Sequence, residues 1–323
     1  MVHPIYSKHA LDNSSIGSRS PAALPFGIKE KIMRQMDRRL FLQLTGAGLL
    51  GLSAKSLAAA DTTAFTSIAY NVLAFIGFPE TDENRSKLET DRDQLPEVTA
   101  KALAEFSPDL INLSEAPFEP LVERFARTLN MQYAYFSTGV KGSPTYPCGF
   151  PGAIVTRFDI VDSEDRPSAG AAHSSALFTR HLGRAELKTP WGTLHVITTH
   201  FHAHKQDIRI QETEAIIALI EKLRKTGEVL LQGDLNHKPG DPEHKLLQEA
   251  GLVDMNAQLG IGDVPTFNSV DPKYQIDYIV ATPELAERGQ RAEVLNKVPF
   301  VPNPDDPTSY ALSDHMPVLV GFK

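Results

Sequence analysis

The chain has one cysteine among 323 residues, Cys148. A single thiol excludes an intrachain disulfide framework and any all-cysteine zinc site. Basic charge is also scarce: 32 Lys/Arg stand against 40 Asp/Glu, a formal charge of −8. That balance argues against a protein that coats nucleic acid through a general positive field. Long apolar runs are missing as well. The stretch 40–54 carries no charge over 15 residues, short of the roughly 20 that a spanning helix needs. With hydrophobic residues at 41% and charged ones at 22%, wholesale disorder, a collagen-like repeat and a polytopic membrane protein are excluded. The length is enough for one large core or two ordinary ones.

The first sixty residues stand apart. Residues 1–35 contain Ser and Pro without periodicity, and read as an unstructured extension or an over-extended gene start with Met36 as the true first residue. Residues 36–60 combine Arg38 and Arg39, the apolar stretch 40–54 weakened as a helix by three glycines, and Ala58 and Ala60 at small-x-small spacing. Charge, length and cleavage pattern point to an export signal rather than a buried leading helix. Arg38-Arg39-Leu40-Phe41-Leu42 is similar to the twin-arginine signal. An exported protein, periplasmic or secreted, is therefore expected, with the folded domain at 61–323.

From Asp61 on, strand-like and helix-like runs alternate. Strands are expected around 67–73, 109–115, 153–156, 193–199, 228–232, 275–281 and 316–322. Helices are expected at 97–106, 120–129, 207–226 and 242–250, where apolar residues recur at helical spacing and Pro or Gly marks the ends. Segments 80–93 and 139–152 read as exposed loops of the kind that often frame a site. No composition break divides 61–323, so a single α/β domain is expected. Trp191, in Pro190-Trp191-Gly192, reads as a hairpin-tip packing residue, and Cys148 as inert.

Apolar runs in this region end in polar groups. Asn71 follows Ser67–Tyr70, Glu115 follows Leu110–Ser114, and His200 follows Leu194–Thr199. Asp234 and Asn236 follow Val229–Gly233, and Asp314 and His315 precede Met316–Val320. Strand ends gathered at one sheet edge would bring these groups to a common rim. Taken singly, Asn71, Glu115 or Gly233-Asp234-Leu235-Asn236 could equally be turn residues. Asp277, inside Ile276–Val280, is different: a buried carboxylate needs a partner, and His315 is the natural one.

Together these segments resemble the ordered motifs of the endonuclease/exonuclease/phosphatase superfamily. Tyr70-Asn71-Val72-Leu73, Ser114-Glu115, Thr199-His200-Phe201, Gly233–Asn236, Ile276–Ile279 and Ser313–Pro317 carry the resemblance, over about 65–322. One departure is Ser114, where many members carry Gln before the Glu. The resemblance implies a four-layer αββα sandwich, with two central, mostly antiparallel sheets flanked by helices. It implies a metal-dependent phosphoesterase, acting as a phosphodiesterase, nuclease or phosphatase by direct in-line attack of water. Glu115 would be the main ligand of a Mg²⁺ or Mn²⁺ ion, with Asn71 and Asp314 nearby. Asp234 would orient or deprotonate the water. Asn236 and His200 would hydrogen-bond the phosphate, and His315, oriented by Asp277, would bind the phosphoryl group.

Two other readings compete. His200-Phe201-His202-Ala203-His204 is similar to the zinc motif of the metallo-β-lactamase fold, though the Asp of that motif is missing at its place. A non-catalytic binder of a phosphorylated ligand on the same scaffold is the other. The partner is expected to be a phosphate ester (a small ester, a phospholipid or nucleic acid), acted on by a monomer without a stable membrane anchor. Segment 74–79 is an apolar loop that would reach lipid. Residues 1–60 carry eight of the Lys/Arg and three of the Asp/Glu, so 61–323 has a net charge of −13. This tilts the expectation from duplex DNA toward smaller esters.

Overall fold

The computed structural model describes residues 64–138, 149–167 and 177–323. The extension 1–35, the export signal 36–60, Cys148 and most of the loop 139–152 lie outside the described residues. The described elements run β1 (Phe65–Asn71), α1 (Arg85–Asp91), α2 (Leu95–Ala104), β2 (Leu110–Ser114), α3 (Glu119–Leu129), β3 (Gln132–Phe136), β4 (Gly152–Thr156), β5 (Asp159–Asp165), β6 (His181–Thr189) and β7 (Gly192–His200). They continue with α4 (Gln206–Leu223), β8 (Glu228–Asp234), α5 (Pro242–Glu249), β9 (Val253–Asp254), α6 (Met255–Gln258), β10 (Asp277–Ala281), α7 (Pro283–Ala286), β11 (Gly289–Val294) and β12 (Val318–Phe322).

The strands form two six-stranded sheets, ordered β11-β12-β1-β2-β4-β3 and β5-β6-β7-β8-β10-β9. Each has one parallel pair near its centre, β1 with β2 and β7 with β8, and is otherwise antiparallel. The expected four-layer sandwich is the observed one.

Strand alternation sorts the side chains into three apolar layers. In β1, Phe65 and Ala69 face the other sheet, while Ile68 and Tyr70 face α2 and α3. In β8, Leu230 faces inward, while Val229 and Leu231 pack under α4. The inter-sheet layer is graded along its length. At one end Trp191 stacks on Phe65, with ring centroids 4.9 Å apart, and its Nε1 donates to Glu228 at 2.9 Å. This is the packing role expected of the hairpin tip. Toward the other end the inward positions turn polar. Ser67 Oγ donates to Gln232 Oε1 across the sheets at 2.7 Å. The Asn112 amide meets the Thr198 hydroxyl, which also contacts His181 Nε2 at 3.0 Å.

Segment 80–93 is not the plain loop expected from its charge. It contains α1, held by the ion pairs Arg85–Asp82 at 2.8 Å and Arg85–Glu80 at 3.1 Å and by an i,i+4 pair of Lys87 with Asp91. Dense charge of alternating sign can support a short helix as well as solvate a loop, and Leu88 anchors it to the core. The apolar segment 74–79 is likewise packed rather than free to meet lipid: Phe75 is buried against Phe125, and Phe78 N–H donates to the Ala311 carbonyl at 2.9 Å. Strands β3, β5, β9 and β11 were not expected, and β6 only as the partner strand implied by the Trp191 hairpin; β5 and β11 are edge strands with mixed polar sequence, and their pairing comes from neighbours rather than pattern. Among the described residues, no helix is long and apolar enough to cross a membrane.

Candidate functional site

The four parallel central strands end together. Asn71 ends β1, His200 ends β7 and Asp234 ends β8, and Glu115 directly follows β2. Register fixes the neighbours: Asn71 lies opposite Ser114, and His200 opposite Asp234. The antiparallel strands run the other way, so they deliver residues from their starts. Asp277 begins β10 opposite Asp234, and Asp314 and His315 lie just before β12. Glu115 (φ 56°) and Asn236 (φ 51°) adopt left-handed backbone, a conformation that non-glycine residues hold at a cost and that recurs at functional sites. Here it swings the chain across the rim as soon as each strand ends.

The side chains converge in a cavity of about 700 Å³, whose lining includes Glu115, Arg180, Asp234, Asn236, Asp314 and His315. Asn71 Nδ2 lies 3.2 Å from Glu115 Oε1 and 3.1 Å from Asp234 Oδ2, while its Oδ1 accepts from Leu73 N–H at 3.1 Å. As oriented, this amide bridges two carboxylates as a donor. His315 Nδ1 is 2.8 Å from Asp277 Oδ2, which also accepts from Thr266 Oγ1 at 2.6 Å. The other imidazole nitrogen, Nε2, points at Asp234 Oδ2 (3.7 Å) and Asp314 Oδ1 (4.0 Å). His200 Nε2 is 3.1 Å from Asp234 Oδ2, and the Arg180 guanidinium lies against the same Nε2 as well as 3.1 Å from Nδ1. Asn236 N–H caps Asp234 Oδ1 at 3.1 Å, but its Nδ2 donates to the Phe201 carbonyl. Its side chain is thus held by the backbone.

The electrostatics follow from burial and charge crowding. Burial raises Glu115 to about 7; Arg180 opposes the rise and Asp314 adds to it. Burial also raises Asp314. Burial would lower His315, but Asp277, Asp234 and Asp314 outweigh it and hold the ring up to about 10. Burial likewise raises Asp277, to about 6, against the pull of His315. His200 moves the other way, to about 4, because burial and Arg180 both disfavour its protonation. Asp234 is buried too, yet His200, His315 and Arg180 keep it below the usual carboxylate range.

The donor set suits a hard divalent cation. Two half-buried carboxylates, Glu115 and Asp314, have pKa values raised first by desolvation, and oxygen donors are what Mg²⁺ and Mn²⁺ take. Asp234, Asp277 and His315 also bring ligand-type atoms within 4.8 Å of one another. Of these, Asp277 and the Nδ1 of His315 are engaged with each other, and Asp234 already accepts from Asn71 and Asn236 and faces His200 Nε2, so the less encumbered carboxylates are Glu115 and Asp314.

The rim gathers all eight residues singled out in the sequence. Arg180 was missed. The signal for it was register: in a hairpin turning at Pro190-Trp191, His181 pairs with His200, which sets the preceding Arg180 beside the site. The zinc reading is overturned by the fold. His202 moreover turns its Nδ1 back to accept from the backbone N–H groups of His204 (3.1 Å) and Lys205 (3.2 Å).

The sequence profile of the Endonuclease/Exonuclease/phosphatase family matches residues 68–315. No curated protein matches the chain in sequence. Many solved structures share the fold, among them these three. An endonuclease/exonuclease/phosphatase family protein from Bacteroides thetaiotaomicron is 18% identical with a TM-score of 0.64, covering 80% of this chain and 94% of that one. A mannosyl-6-phosphatase from the same organism is 20% identical with a TM-score of 0.60, covering 79% and 98%. An AP endonuclease from Archaeoglobus fulgidus is 18% identical with a TM-score of 0.55, covering 80% and 99%.

Proposed function

The chain belongs to the endonuclease/exonuclease/phosphatase family, and from that premise we propose that it is an exported, divalent-metal-dependent phosphoesterase hydrolysing small phosphate esters by direct attack of water. The observation that carries this reading is the convergence of Asn71, Glu115, His200, Asp234, Asp277, Asp314 and His315 at one rim, where Glu115, Asp234, Asp314 and His315 line a single cavity. Related folds act on substrates as different as a mannosyl phosphate and, in the AP endonuclease, nucleic acid. The net charge of −13 over residues 61–323 favours the smaller class here.

Glu115, with Asp314, would hold a Mg²⁺ or Mn²⁺ ion; Asn71, expected as a further ligand, instead turns its Nδ2 to Glu115 and Asp234 and its Oδ1 to the Leu73 N–H, so it orients the carboxylates. When bound, such an ion neutralises phosphate charge and stabilises the leaving oxygen. The remaining roles belong to the chain itself. Asp234 stays ionised because three cationic or donor groups surround it, so it is a strong acceptor and a weak base. It orients the attacking water more than it stores the proton. His200 is neutral, and its Nε2 meets both the Asp234 carboxylate and the Arg180 guanidinium, which holds the three groups together at the rim. His315 is an imidazolium through neutral pH, held by Asp277, and its Nε2–H is a charged donor for a phosphoryl oxygen. That makes it an electrostatic clamp rather than a general base. Asn236 supports the site through its backbone N–H on Asp234. Ser313, the rim hydroxyl, is buried and donates to the Asn71 carbonyl at 2.7 Å, so it is not a free nucleophile.

A panel assay tests the reading: simple phosphate mono- and diesters, inositol phosphates, sphingomyelin, RNA and duplex DNA, each with Mg²⁺ and with EDTA. Turnover should require the metal, and Glu115→Ala should lower it by about 10²–10³-fold with the fold intact by circular dichroism. Full turnover in that variant would overturn the assignment. Tight binding of a phosphorylated ligand with no turnover under any divalent metal would make the protein a non-catalytic binder. Export is tested separately, by the cellular fraction holding the protein before and after Arg38 and Arg39 are replaced by lysine.

A further inference from the structure

Helix α4 carries two buried charges in its first two turns, Arg209 and Glu212, that no step of the chemistry uses. Arg209 is answered by Glu243 on α5, Nε to Oε1 at 2.7 Å, and its guanidinium also donates to the carbonyls of His202 and Ala203, each at 3.2 Å. Glu212 is fully buried and spends its two oxygens on backbone. Oε1 accepts from Phe178 N–H at 2.8 Å, and Oε2 from His202 N–H at 2.9 Å. An ionised carboxylate only accepts, so it matches two donors. An amide in its place would turn a donor toward one of them.

The two N–H groups belong to different segments. Phe178 lies two residues before Arg180, in the chain entering β6, and His202 two residues after His200, in the chain leaving β7. One side chain thus ties together the segments that deliver Arg180 and His200 to the rim. Phe178 holds left-handed backbone (φ 50°), which a non-glycine residue keeps only where its surroundings enforce it. Its carbonyl is held in turn, accepting from the Arg166 guanidinium at 3.0 Å. Arg180 lines the catalytic cavity, so a shift of this segment would move a cationic wall.

We infer that Glu212 is a positioning residue for phosphate binding: its carboxylate fixes Arg180 relative to His200, and through them the cationic wall of the cavity. The inference rests on the phosphoesterase reading only for its ligand, a phosphate group in that cavity. A neutral side chain would brace the helix without the cost of burying a charge; what the carboxylate adds is a second acceptor, for the second segment. Burial raises its pKa to about 7, against the pull of the His202 and Phe178 N–H groups, Arg180 and Arg209, so it is ionised at about pH 8.

Calorimetry on the full protein at about pH 8, first with Mn²⁺ alone and then with inorganic phosphate added in Mn²⁺, tests this without requiring turnover. Glu212→Gln keeps the volume and converts one acceptor to a donor. It should weaken phosphate binding about tenfold. It should not weaken Mn²⁺ binding, because Arg180 lies 3.7 Å from Glu115 Oε1 and its displacement removes a competing cation. In an Arg180→Ala background the same substitution should weaken phosphate binding less than about twofold, since the group it acts through is gone. General loosening would weaken both ligands and would add in full to Arg180→Ala. Should Glu212→Gln not fold, Glu212→Asp, with the same charge on an arm one methylene shorter, takes its place with the same expectations. Unchanged phosphate affinity, weakened Mn²⁺ binding, an undiminished loss in the Arg180→Ala background, or absence of phosphate binding to the unmodified chain would each overturn the inference. The two readings fail separately. Coupling to Arg180 without hydrolysis of any ester sustains the role of Glu212 and sinks the hydrolase; metal-dependent hydrolysis without that coupling does the reverse.

Discussion

Asp277 shows how much one buried charge can dictate. It sits inside an apolar strand, and such a carboxylate is stable only with a partner; His315 and the Thr266 hydroxyl supply the pairing. Asp277→Asn should therefore destabilise the fold by about 3 kcal/mol, read as a lowered denaturation midpoint, and should weaken phosphate binding as the His315 ring loses its support. A midpoint equal to that of the unmodified chain would show that the pair contributes nothing. His181 gives a second residue-level test. Its Nδ1 faces the Phe150 carbonyl at 3.2 Å and its Nε2 the Thr198 hydroxyl at 3.0 Å, so a neutral ring that donates to the carbonyl and accepts from the hydroxyl is fully satisfied. Burial and then the neighbouring His200 lower its pKa from 6.5 to about 3. Above 6.5 both folded and unfolded states are neutral at this site. As the pH falls through that window only the unfolded chain takes the proton, so stability is lost with falling pH, fully by about 3. Buried Glu212, raised to about 7, acts in the opposite sense, so the comparison must be between variants. Between pH 7 and 4.5, His181→Gln should lose on the order of 1–2 kcal/mol less stability than the unmodified chain in denaturant titrations. The Asp277–His315 pairing was legible in the sequence because a carboxylate in an apolar run has few explanations. The orientation of the Asn71 amide was not, because it depends on carboxylates 44 and 163 positions away.

At the level of elements, the strands that position the site are those with the plainest pattern. Each central parallel strand is an apolar run ending in a polar group, since both faces are covered until the rim is reached. The helices follow for the same reason, with α3 and α5 found almost to the residue. Strands β5 and β11 were not legible: their sequences are polar and mixed, and they are strands because β6 and β12 offer them open edges. The segment containing α1 was misread because charge alone does not separate a solvated loop from a helix laced by ion pairs. The join between β7 and β8 is the least forgiving element contact. Gly233 has φ 148°, and a Cβ built there would lie 1.9 Å from the Thr199 carbonyl oxygen on the adjacent strand. Backbone cannot give way as a side-chain tip does. Gly233→Ala should cost about 3 kcal/mol and shift the neighbouring His200–Asp234 pair, visible as a lower melting temperature together with lost activity. A variant that melts normally would mean the strands can part without harm.

Across the whole molecule, each sheet contributes one parallel strand pair joined by a helical crossover, and the site lies where the carboxyl ends of both pairs meet, as is general for parallel strands. The layer between the sheets changes from aromatic packing around Trp191 to hydrogen-bonded polar groups and then to the open cavity. That gradient was only half visible in the sequence. Asn112, Thr198 and Gln232 stand out as polar residues in apolar runs, but nothing local says that they face one another. The gradient also sets an order of events in time. The lone tryptophan closes a hairpin whose strands are adjacent in the chain and packs on Phe65, 126 positions away, whereas the rim joins Asn71 to residues 163 and 244 positions on. Contacts of such separation form late, because the intervening chain must first be ordered. During refolding from denaturant, Trp191 fluorescence should therefore recover before activity does. The catalytic rim would then be the last part of this protein to exist, and a folding intermediate would carry a native tryptophan signal while being unable to bind phosphate.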